Sequence, residues 1–239
     1  MFQLLMALTL LAQFTPEQKV EVQTIIREYL ISNPEVLIEA SQSLQKKQLE
    51  QIQGTARLAI GKNLKTLFDG NSPTLGNPKG TVTLVEFLDY QCGHCKTLHK
   101  AIKSQLKENS NLRYVVKFFP VFGQTSEFAS LAALASQEQG KFLLMHNALM
   151  EEPGQLTNER VLEIATSVGL NAVQLKRDMG KFEQQLMNEK TLANLLGLKG
   201  TPGLLLAPNP VKDADQTLFI PGAVPEKDLA EAIKKAQSL

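Results

Sequence analysis

The chain has 239 residues, of which 43% are apolar, enough to bury the core of one domain with added elements or of two small domains. Its net charge is +1, and this balance excludes a general attraction to nucleic acid or to an anionic membrane. Its two cysteines exclude a secreted fold built on several disulfide bridges.

An apolar run at residues 2–12 has the length of the hydrophobic core of a secretion signal. It is too short for a transmembrane helix, which needs about 20 residues. No lysine or arginine precedes it, and Leu10 stands where a small residue is expected before cleavage after Ala12. We expect an imperfectly started secretion signal within residues 1–13, directing the protein to the periplasm or cell envelope. The alternative is an apolar first turn that packs into the folded protein.

Two helical patterns follow this leader. Thr15 and Gln18 match a capping box, with Pro16 at the first helical position. A second pattern begins at Pro34 and continues to about residue 68. That length is unusual for a helix that packs within a globular domain.

The long helical pattern predicts an oligomerisation arm at residues 14–70. A single arm leaves its apolar face unpartnered, so we expect a homo-oligomer. A dimer is favoured over a trimer because twofold closure is the commonest symmetry. The alternative is a long surface helix or a linker. The apolar face comprises Val22, Ile25, Ile26, Leu37 and Leu44, and the later part of the pattern is interrupted at Gly54 and Gly61.

Turn-forming residues at 69–80 separate the arm from the rest of the chain. Residues 81–88 form an apolar, β-branched run that predicts a buried strand, and residues 112–119 predict a second strand. A helix with one apolar face lies between them. Strand, helix and strand at these lengths predict a parallel βαβ unit.

The remainder of the chain predicts a helical block followed by a hairpin and a last helix. Strands at 203–207 and 216–220 flank a polar loop, and Pro225 opens the final helix. The expected order is βαβ, helical block, then ββα, an α/β arrangement. The predicted helical segments are residues 129–135, 142–150, 159–167 and 173–188.

The two cysteines form the motif Cys92-Gly93-His94-Cys95 at the predicted junction of strand and helix. The thiolate is the reactive form of cysteine, and the free N–H groups and dipole of a helix N-terminus stabilise it. We therefore expect Cys92 to be the nucleophile, aided by His94, and Cys95 to be the less exposed resolving thiol. Such a pair exchanges disulfides through its own redox-active disulfide, so we expect no metal or organic cofactor.

Other interpretations of this motif stay open. Cys92, Cys95 and His99 are three possible zinc ligands, with His146 or a carboxylate as the fourth, although no second CxxC or HxxxH is present. The pair is alternatively an inert bridge. The non-enzyme alternative is thus a zinc-binding or structural oligomer. Taken singly, His99 and His146 are expected to be surface or core side chains, and neither is assigned a role.

Glu86 is a carboxyl group in an otherwise apolar strand, six residues before Cys92. We expect it to point inward beneath the motif, where burial raises the pKa of a carboxyl and lets it shuttle the proton of Cys95. The alternative is a solvated acid at the strand edge. Lys117 on the next strand is a candidate partner for Glu86, and Arg113 has the same parity.

Thr201-Pro202 precedes the predicted hairpin. A cis X–Pro bond is normally found in a tight, functional turn, so we expect a cis Pro202 that faces the cysteines. Composition alone favours an ordinary trans turn.

These motifs together resemble the DsbA-like thiol–disulfide oxidoreductases of the bacterial cell envelope, within the thioredoxin superfamily. The resemblance rests on VEFLDYQCGHC and, far downstream, on KGTPGLLL, and it covers roughly residues 73–237. The segment TPEQ…YLISNPEVLIEASQSLQ is similar to the oligomeric members of the Com1 and ScsC type. This resemblance implies a thioredoxin fold at residues 71–239 with a helical insertion at about 122–196.

The resemblance also implies a role for each matched residue. Cys92 is the expected nucleophile, Cys95 the resolving thiol and Glu86 the buried acid. Pro202 is the expected cis-proline, and Thr201 is expected to give backbone contacts to the substrate peptide. The implied partners are cysteine-containing secreted or envelope proteins and a membrane redox partner that resets the dithiol.

Two departures from DsbA itself bear on the activity. The dipeptide Gly93-His94 is that of protein disulfide isomerases, and Thr201 before the proline is typical of the dimeric isomerases. Both favour an enzyme that forms and isomerises disulfides. A dedicated dithiol oxidase of the DsbA type is the alternative.

Overall fold

The computed structural model describes residues 14–68 and 71–239. The predicted secretion signal at residues 1–13 therefore lies outside the described residues. The chain forms two compact units that divide between Gln51 and Ile52. This division falls inside a helix, whereas the sequence places the arm's boundary near residue 70.

The N-terminal unit is helical and begins with the predicted capping box. The Thr15 N–H donates to Gln18 Oε1 at 2.9 Å, and the Gln18 N–H donates to Thr15 Oγ1 at 3.3 Å. The first helix is α1, Pro16–Ser32, and the second is α2, Glu35–Phe68. The predicted apolar face is exposed in the single chain, at Val22, Ile25, Ile26, Leu37 and Leu44.

The C-terminal part of α2 belongs to the second unit, where it packs in an apolar cluster with the sheet. This packing explains why the two units divide before the turn-rich stretch. The helix runs through Gly54 and Gly61, and the residue with non-helical backbone angles is Asn63, at φ −128° and ψ 17°. The buried residues of α2 are Ala56, Ile60, Leu67 and Phe68.

A sheet of five strands, counted within the described residues, forms the centre of the second unit in the order β1–β3–β2–β4–β5. β2 and β3 are parallel, and β4 is antiparallel to both β2 and β5. The predicted βαβ unit and hairpin are therefore confirmed. The strands are β1 Thr74–Gly76, β2 Val82–Leu88, β3 Leu112–Phe118, β4 Gly203–Pro208 and β5 Leu218–Ile220.

β1 lies in the stretch that the sequence predicted to consist of turns, and that prediction is wrong for these three residues. They pair antiparallel with the outer edge of β3. So short a strand shows no alternating pattern, and its pairing depends on the edge that β3 offers. Gly76 has φ +73°, and a Cβ there would lie 2.5 Å from Leu112 O, so glycine permits the close approach.

Helices surround the sheet much as predicted. α3 joins β2 to β3, five helices form the insertion between β3 and β4, and α9 follows β5. The last predicted insertion segment, 173–188, is divided by a 3₁₀ turn at Gly180–Phe182. The helices are α3 Gly93–Glu108, α4 Gln124–Ala135, α5 Phe142–Glu151, α6 Asn158–Ser167, α7 Ala172–Met179, α8 Glu183–Leu195 and α9 Glu226–Gln237.

Two apolar cores lie on opposite faces of the sheet. The first contains α3, α9 and the helical insertion, packed on side chains such as Leu84 and Leu206. The second contains the end of α2 and α8, packed on Val85 and Leu205. Alternate residues of each strand thus supply the two cores. Among the helices of the described chain, none combines the length and the apolar character needed to cross a membrane.

Candidate active site

Cys92 caps the N-terminus of α3, directly after β2. Its backbone N–H donates to Asp89 O at 3.1 Å, and its sulfur accepts the Cys95 N–H at 3.4 Å. Both cysteines are free thiols, with Cys92 3% exposed and Cys95 fully buried. The order of exposure agrees with the sequence, although even Cys92 is largely covered.

The turn before β4 faces Cys92. The Thr201–Pro202 bond is cis, as predicted. The Cys92 sulfur lies 3.2 Å from Thr201 O, across 109 positions of sequence, and donates to that carbonyl when it is protonated. A main-chain carbonyl of the turn before β4 therefore lies beside the sulfur of Cys92.

The pKa of Cys92 is lowered to about 5. The largest cause is the Cys95 thiol, which donates a hydrogen bond to the thiolate. Burial opposes the shift, and the backbone N–H groups of Cys95 and His94 lower the pKa further. His94, which was expected to aid Cys92, lowers the pKa here through its backbone N–H. A low pKa keeps Cys92 in its nucleophilic form at neutral pH.

The pKa of Cys95 moves in the opposite direction, far above the usual range. Burial is the largest cause, followed by the hydrogen bond to Cys92 and by the charge of Glu86. One motif thus holds a thiolate and a thiol side by side. That is the charge distribution required for nucleophilic attack by one sulfur and later resolution by the other.

Glu86 is fully buried beneath the motif, on the face of the sheet that carries α3. Burial raises its pKa to about 8, while a hydrogen bond donated by the Tyr114 hydroxyl opposes that shift. The inward orientation expected from the sequence is therefore correct. The solvated strand-edge alternative is wrong.

Neither predicted cationic partner reaches Glu86. In the register of β2 and β3, Glu86 is opposite Val116, so Lys117 and Arg113 point to the other face of the sheet. The Lys117 ammonium donates to Ser72 Oγ at 2.7 Å. The Arg113 guanidinium donates instead to main-chain and hydroxyl oxygens.

Asp89 is a structural residue of the site that the sequence analysis missed. Its buried carboxylate accepts the N–H groups of Gln91 at 2.8 Å, Val121 at 2.7 Å and Phe122 at 3.1 Å. It therefore ties the turn that carries Cys92 to the loop after β3. Its position between a predicted strand and the CxxC motif was the sequence feature that could have indicated this role.

Two grooves flank Cys92 and share the half-exposed ring of Phe122. The first has a volume of about 660 Å³ and contains Cys92, His94 and Thr201. The second has about 450 Å³ and lies between Lys96 and Pro153. Cys92 lines the first groove, which therefore offers room for a peptide segment beside the nucleophile.

The zinc alternative gains no support from the geometry. Within residues 14–68 and 71–239, no three His, Cys, Asp or Glu side chains converge in a way that could hold a metal ion. His99 packs edge to face on His146, with ring centroids 5.1 Å apart.

Comparison with known families places both parts of the chain. The family model described as Thioredoxin matches residues 69–217, more than half of the chain. The model of the N-terminal domain of copper resistance protein ScsC matches residues 18–51, which end where the first structural unit ends.

Solved structures of thioredoxin-like and ScsC proteins are similar to this chain over most of its length. A thioredoxin-like oxidoreductase from Silicibacter pomeroyi is 36% identical with a TM-score of 0.67, over 73% of this chain and 98% of that one. The thiol–disulfide exchange protein α-DsbA2 from Wolbachia pipientis is 26% identical with a TM-score of 0.66, over 77% and 96%. ScsC of Proteus mirabilis, in a transitional conformation, is 28% identical with a TM-score of 0.65, over 95% and 98%.

The first curated relatives matched, two Na⁺/H⁺ antiporters of Salinispora, are far longer than the matching region. The Salinispora arenicola antiporter is 28% identical over 138 residues, which make up 53% of this chain and 20% of the antiporter. The chain thus spans about a fifth of the length of these relatives. From the Thioredoxin match and its structural relatives, the chain belongs to the thioredoxin family, as a DsbA-like member with an ScsC-type N-terminal segment.

Proposed function

We propose that this protein is a thiol–disulfide oxidoreductase that forms and isomerises disulfides in other proteins. The observation that carries the proposal is the position of the Cys92 sulfur, which accepts the Cys95 N–H at 3.4 Å at the start of α3 and lies 3.2 Å from the Thr201 carbonyl. Cys92 is held as a thiolate at a helix N-terminus, and Cys95 is kept as a buried thiol. Its likeness to a thiol–disulfide exchange protein supports the same activity.

Reduction of a substrate disulfide proceeds in two steps. The Cys92 thiolate attacks one substrate sulfur, the substrate S–S bond breaks, and the other sulfur leaves as a thiolate. Cys95 then gives its proton to the ionised fraction of Glu86, which is the minor fraction at neutral pH because the pKa of Glu86 is about 8. The Cys95 sulfur attacks Cys92 Sγ, which closes the Cys92–Cys95 bridge and releases the second substrate thiolate. Two electrons pass from the protein to the substrate, and the reverse sequence oxidises a substrate dithiol.

Isomerisation uses the first step without net transfer of electrons. A free substrate thiolate attacks the mixed disulfide, forms a new substrate bridge and releases Cys92. Thr201 supports this exchange because its carbonyl lies 3.2 Å from the Cys92 sulfur, where it can orient an incoming peptide. The redox-active Cys92–Cys95 disulfide serves as the only redox group in this proposal.

A dedicated dithiol oxidase is the second candidate, and the low pKa of Cys92 favours it. A thiolate with a pKa of about 5 is a good leaving group, which makes the oxidised pair a strong acceptor of electrons. The two candidates differ in what they do to a protein that already has wrong disulfides.

The proposed substrates are cysteine-containing proteins of the periplasm or cell envelope. A periplasmic thioredoxin-like protein from Salmonella enterica, 26% identical with a TM-score of 0.62, supports this location. A membrane redox partner would restore whichever state of the cysteine pair the reaction consumes. Nucleic acid has no place in the proposal, because the net charge of +1 gives no general attraction to it.

We further propose that residues 14–51 join two or more chains. Val22, Ile25 and Leu44 are exposed in the single chain, and burying a large aliphatic side chain contributes about 1.5–3 kcal/mol. The match to the ScsC N-terminal domain covers these residues. A dimer is the first choice and a trimer the alternative; either would hold a misfolded substrate between catalytic units at high local concentration.

The activity is tested on two forms of one multi-disulfide protein. Reduced substrate with oxidised enzyme measures dithiol oxidation, and scrambled substrate with reduced enzyme, without external oxidant, measures isomerisation. We expect both activities in the full chain and neither in Cys92→Ser. Oxidation without recovery of the scrambled substrate would assign the protein as a dedicated oxidase, and the absence of both would refute the proposed function.

A further inference from the structure

The buried carboxylate of Asp89 bonds both the cysteine turn and the loop after β3. Its side chain is fully buried. Oδ1 accepts the N–H of Gln91 at 2.8 Å, and Oδ2 accepts the N–H groups of Val121 at 2.7 Å and Phe122 at 3.1 Å. The Asp89 carbonyl also accepts the Cys92 N–H at 3.1 Å. One residue therefore fixes the turn of the nucleophile and this loop relative to each other.

The loop depends on this carboxylate because the sheet holds the chain only as far as Phe119. The Phe119 N–H donates to Leu88 O at 2.9 Å. The next residue, Pro120, has no N–H to donate. The two N–H groups that follow are those that Asp89 accepts, and each is a single donor. The position of the loop between the sheet and α4 is thus set by Asp89.

Gln91 makes a second, weaker connection between the turn and the loop. Its side-chain Nε2 donates to Ser126 Oγ at 3.0 Å and to Phe122 O at 3.5 Å. These bonds use the end of a flexible side chain. We therefore expect removal of the Asp89 carboxylate to loosen the loop and not to unfold it.

The loop presents two apolar side chains beside the nucleophile. Val121 is 39% exposed and Phe122 is 56% exposed. Both line the groove of about 660 Å³ that contains Cys92 and Thr201. Exposed apolar side chains grouped in a groove are typical of a binding surface. A polypeptide that brings a cysteine to Cys92 would bury its neighbouring side chains against them.

We propose that Asp89 is a positioning residue for substrate recognition. It holds Val121 and Phe122 beside Cys92, so that the enzyme prefers substrate cysteines flanked by apolar residues. The inference rests on the proposed function and names the class of cysteine that it selects. Such cysteines are accessible in unfolded and misfolded proteins, whose apolar segments are still exposed. Because Asp89 is buried, it acts through the loop and not by contact with the substrate.

A carboxylate suits this position because both of its oxygens meet N–H groups. In Asp89→Asn the side chain offers one acceptor oxygen and one NH₂ group. It can keep either the bond to the turn or the two bonds to the loop, and it turns a donor towards the other side. Asp89→Asn should therefore retain part of the preference, and Asp89→Ala none of it.

The test compares three disulfides in single turnovers of the reduced enzyme. The first is a short peptide disulfide with leucine on both sides of each cysteine, and the second has serine at those places. The third is 2-hydroxyethyl disulfide, which is too small to extend along the loop. Acid quench and chromatography of the released thiol give the maximal rate and the half-saturating concentration for each. The wild type should saturate at a lower concentration of the leucine peptide than of the serine peptide.

Asp89→Ala should remove this preference and retain the reaction with 2-hydroxyethyl disulfide. We expect its half-saturating concentration for the leucine peptide to rise about tenfold, in keeping with the partial loss of one buried apolar side chain. Phe122→Ala should do the same, and the two substitutions together should do no more than either alone, because both act through one contact. Val173→Ala is the matched control, since Val173 is 81% exposed and lines neither groove. It should keep the preference of the wild type.

An intact preference in Asp89→Ala, or effects that multiply in the combined variant, would overturn the positioning role. If Asp89→Ala does not fold, Asp89→Asn with Phe122→Ala gives the same comparison. Equal half-saturating concentrations of the two peptides for the wild type would overturn the recognition itself. A wild-type protein that reduces none of the three disulfides would instead overturn the proposed function.

Discussion

The two sulfurs of the motif differ because their surroundings differ within one helical turn. Cys92 receives the N–H of Cys95 and the dipole of α3, whereas Cys95 sits one turn deeper, near the Glu86 charge. The difference in pKa between the two cysteines therefore arises from where each one lies in the helix, since both are the same residue type. It makes the identity of the nucleophile measurable.

We expect Cys92 to be alkylated by iodoacetamide much faster than Cys95 in the reduced protein. Its rate should follow a titration with a midpoint near pH 5, because the pKa of Cys92 is lowered to about 5. Mass spectrometry of the two labelled cysteines against pH measures this, with Cys95→Ser as the control for cross-reaction. Equal rates, or a midpoint near the ordinary value of 9.0, would contradict it.

Glu86 should make the protein's stability depend on pH. Burial raises its folded-state pKa from 4.5 to about 8, so its contribution is fully present below pH 4.5 and is lost as the pH rises through 8. The free energy of unfolding of Glu86→Gln should therefore rise relative to wild type across this window, by about 1.4 kcal/mol per pH unit at most. Urea unfolding of both reduced proteins at several pH values measures the difference; a flat difference would refute the burial of a titrating carboxyl.

Among the elements, the short edge strand β1 depends on one glycine. Gly76→Ala should destabilise the protein by about 1–3 kcal/mol, because the new Cβ meets Leu112 O and φ is positive. Gly54→Ala is the matched control: it lies in α2 with open space around its Cα, so it should stabilise by about 0.5–1 kcal/mol. Thermal and urea unfolding distinguish the two, and equal effects would contradict the local geometry.

The elements that the sequence predicted well are those with a local signature. A few consecutive residues are enough to predict the cap at Thr15, the CxxC motif after β2 and the turn at Pro202. The sequence alone could not predict which side chains from distant parts of the chain contact each other. Glu86 was placed inward by strand alternation, but its partner, Tyr114, depends on a register that no local pattern encodes.

The boundary of the N-terminal arm differs from the predicted one for the same reason, because packing between distant residues cannot be predicted from a local pattern. Ile60 and Leu37 belong to one helical pattern, yet Ile60 is buried against the sheet and Leu37 is exposed. The sequence shows that such apolar residues need a surface to pack against. It does not show which surface that is. The packing boundary after Gln51 therefore lies well inside the arm that the pattern predicted.

At the scale of the whole molecule, this boundary determines where the arm can be removed. Deleting residues 1–51 spares Ala56, Ile60 and Leu67, which a longer deletion would strip from the second core. We expect the remaining chain to be monomeric, to retain dithiol oxidation and to lose most isomerisation.

Light scattering and the two activity assays on this truncated chain and the full chain test that expectation. Ile25→Gln with Ile26→Gln is the matched variant, since it keeps the arm but removes two exposed apolar side chains. A full-length protein that is monomeric at micromolar concentration would contradict the oligomer. Undiminished isomerisation by the truncated chain would contradict its functional role.

The exchange of disulfides through Cys92 is tested by trapping its intermediate. Cys95→Ser removes the resolving thiol, so incubation with a scrambled multi-disulfide protein should accumulate a covalent adduct on Cys92, seen on a non-reducing gel, released by reductant and located by mass spectrometry. Cys92→Ser should form none under the same conditions. An adduct of equal yield in both variants, or none in Cys95→Ser, would contradict a reaction that begins at Cys92.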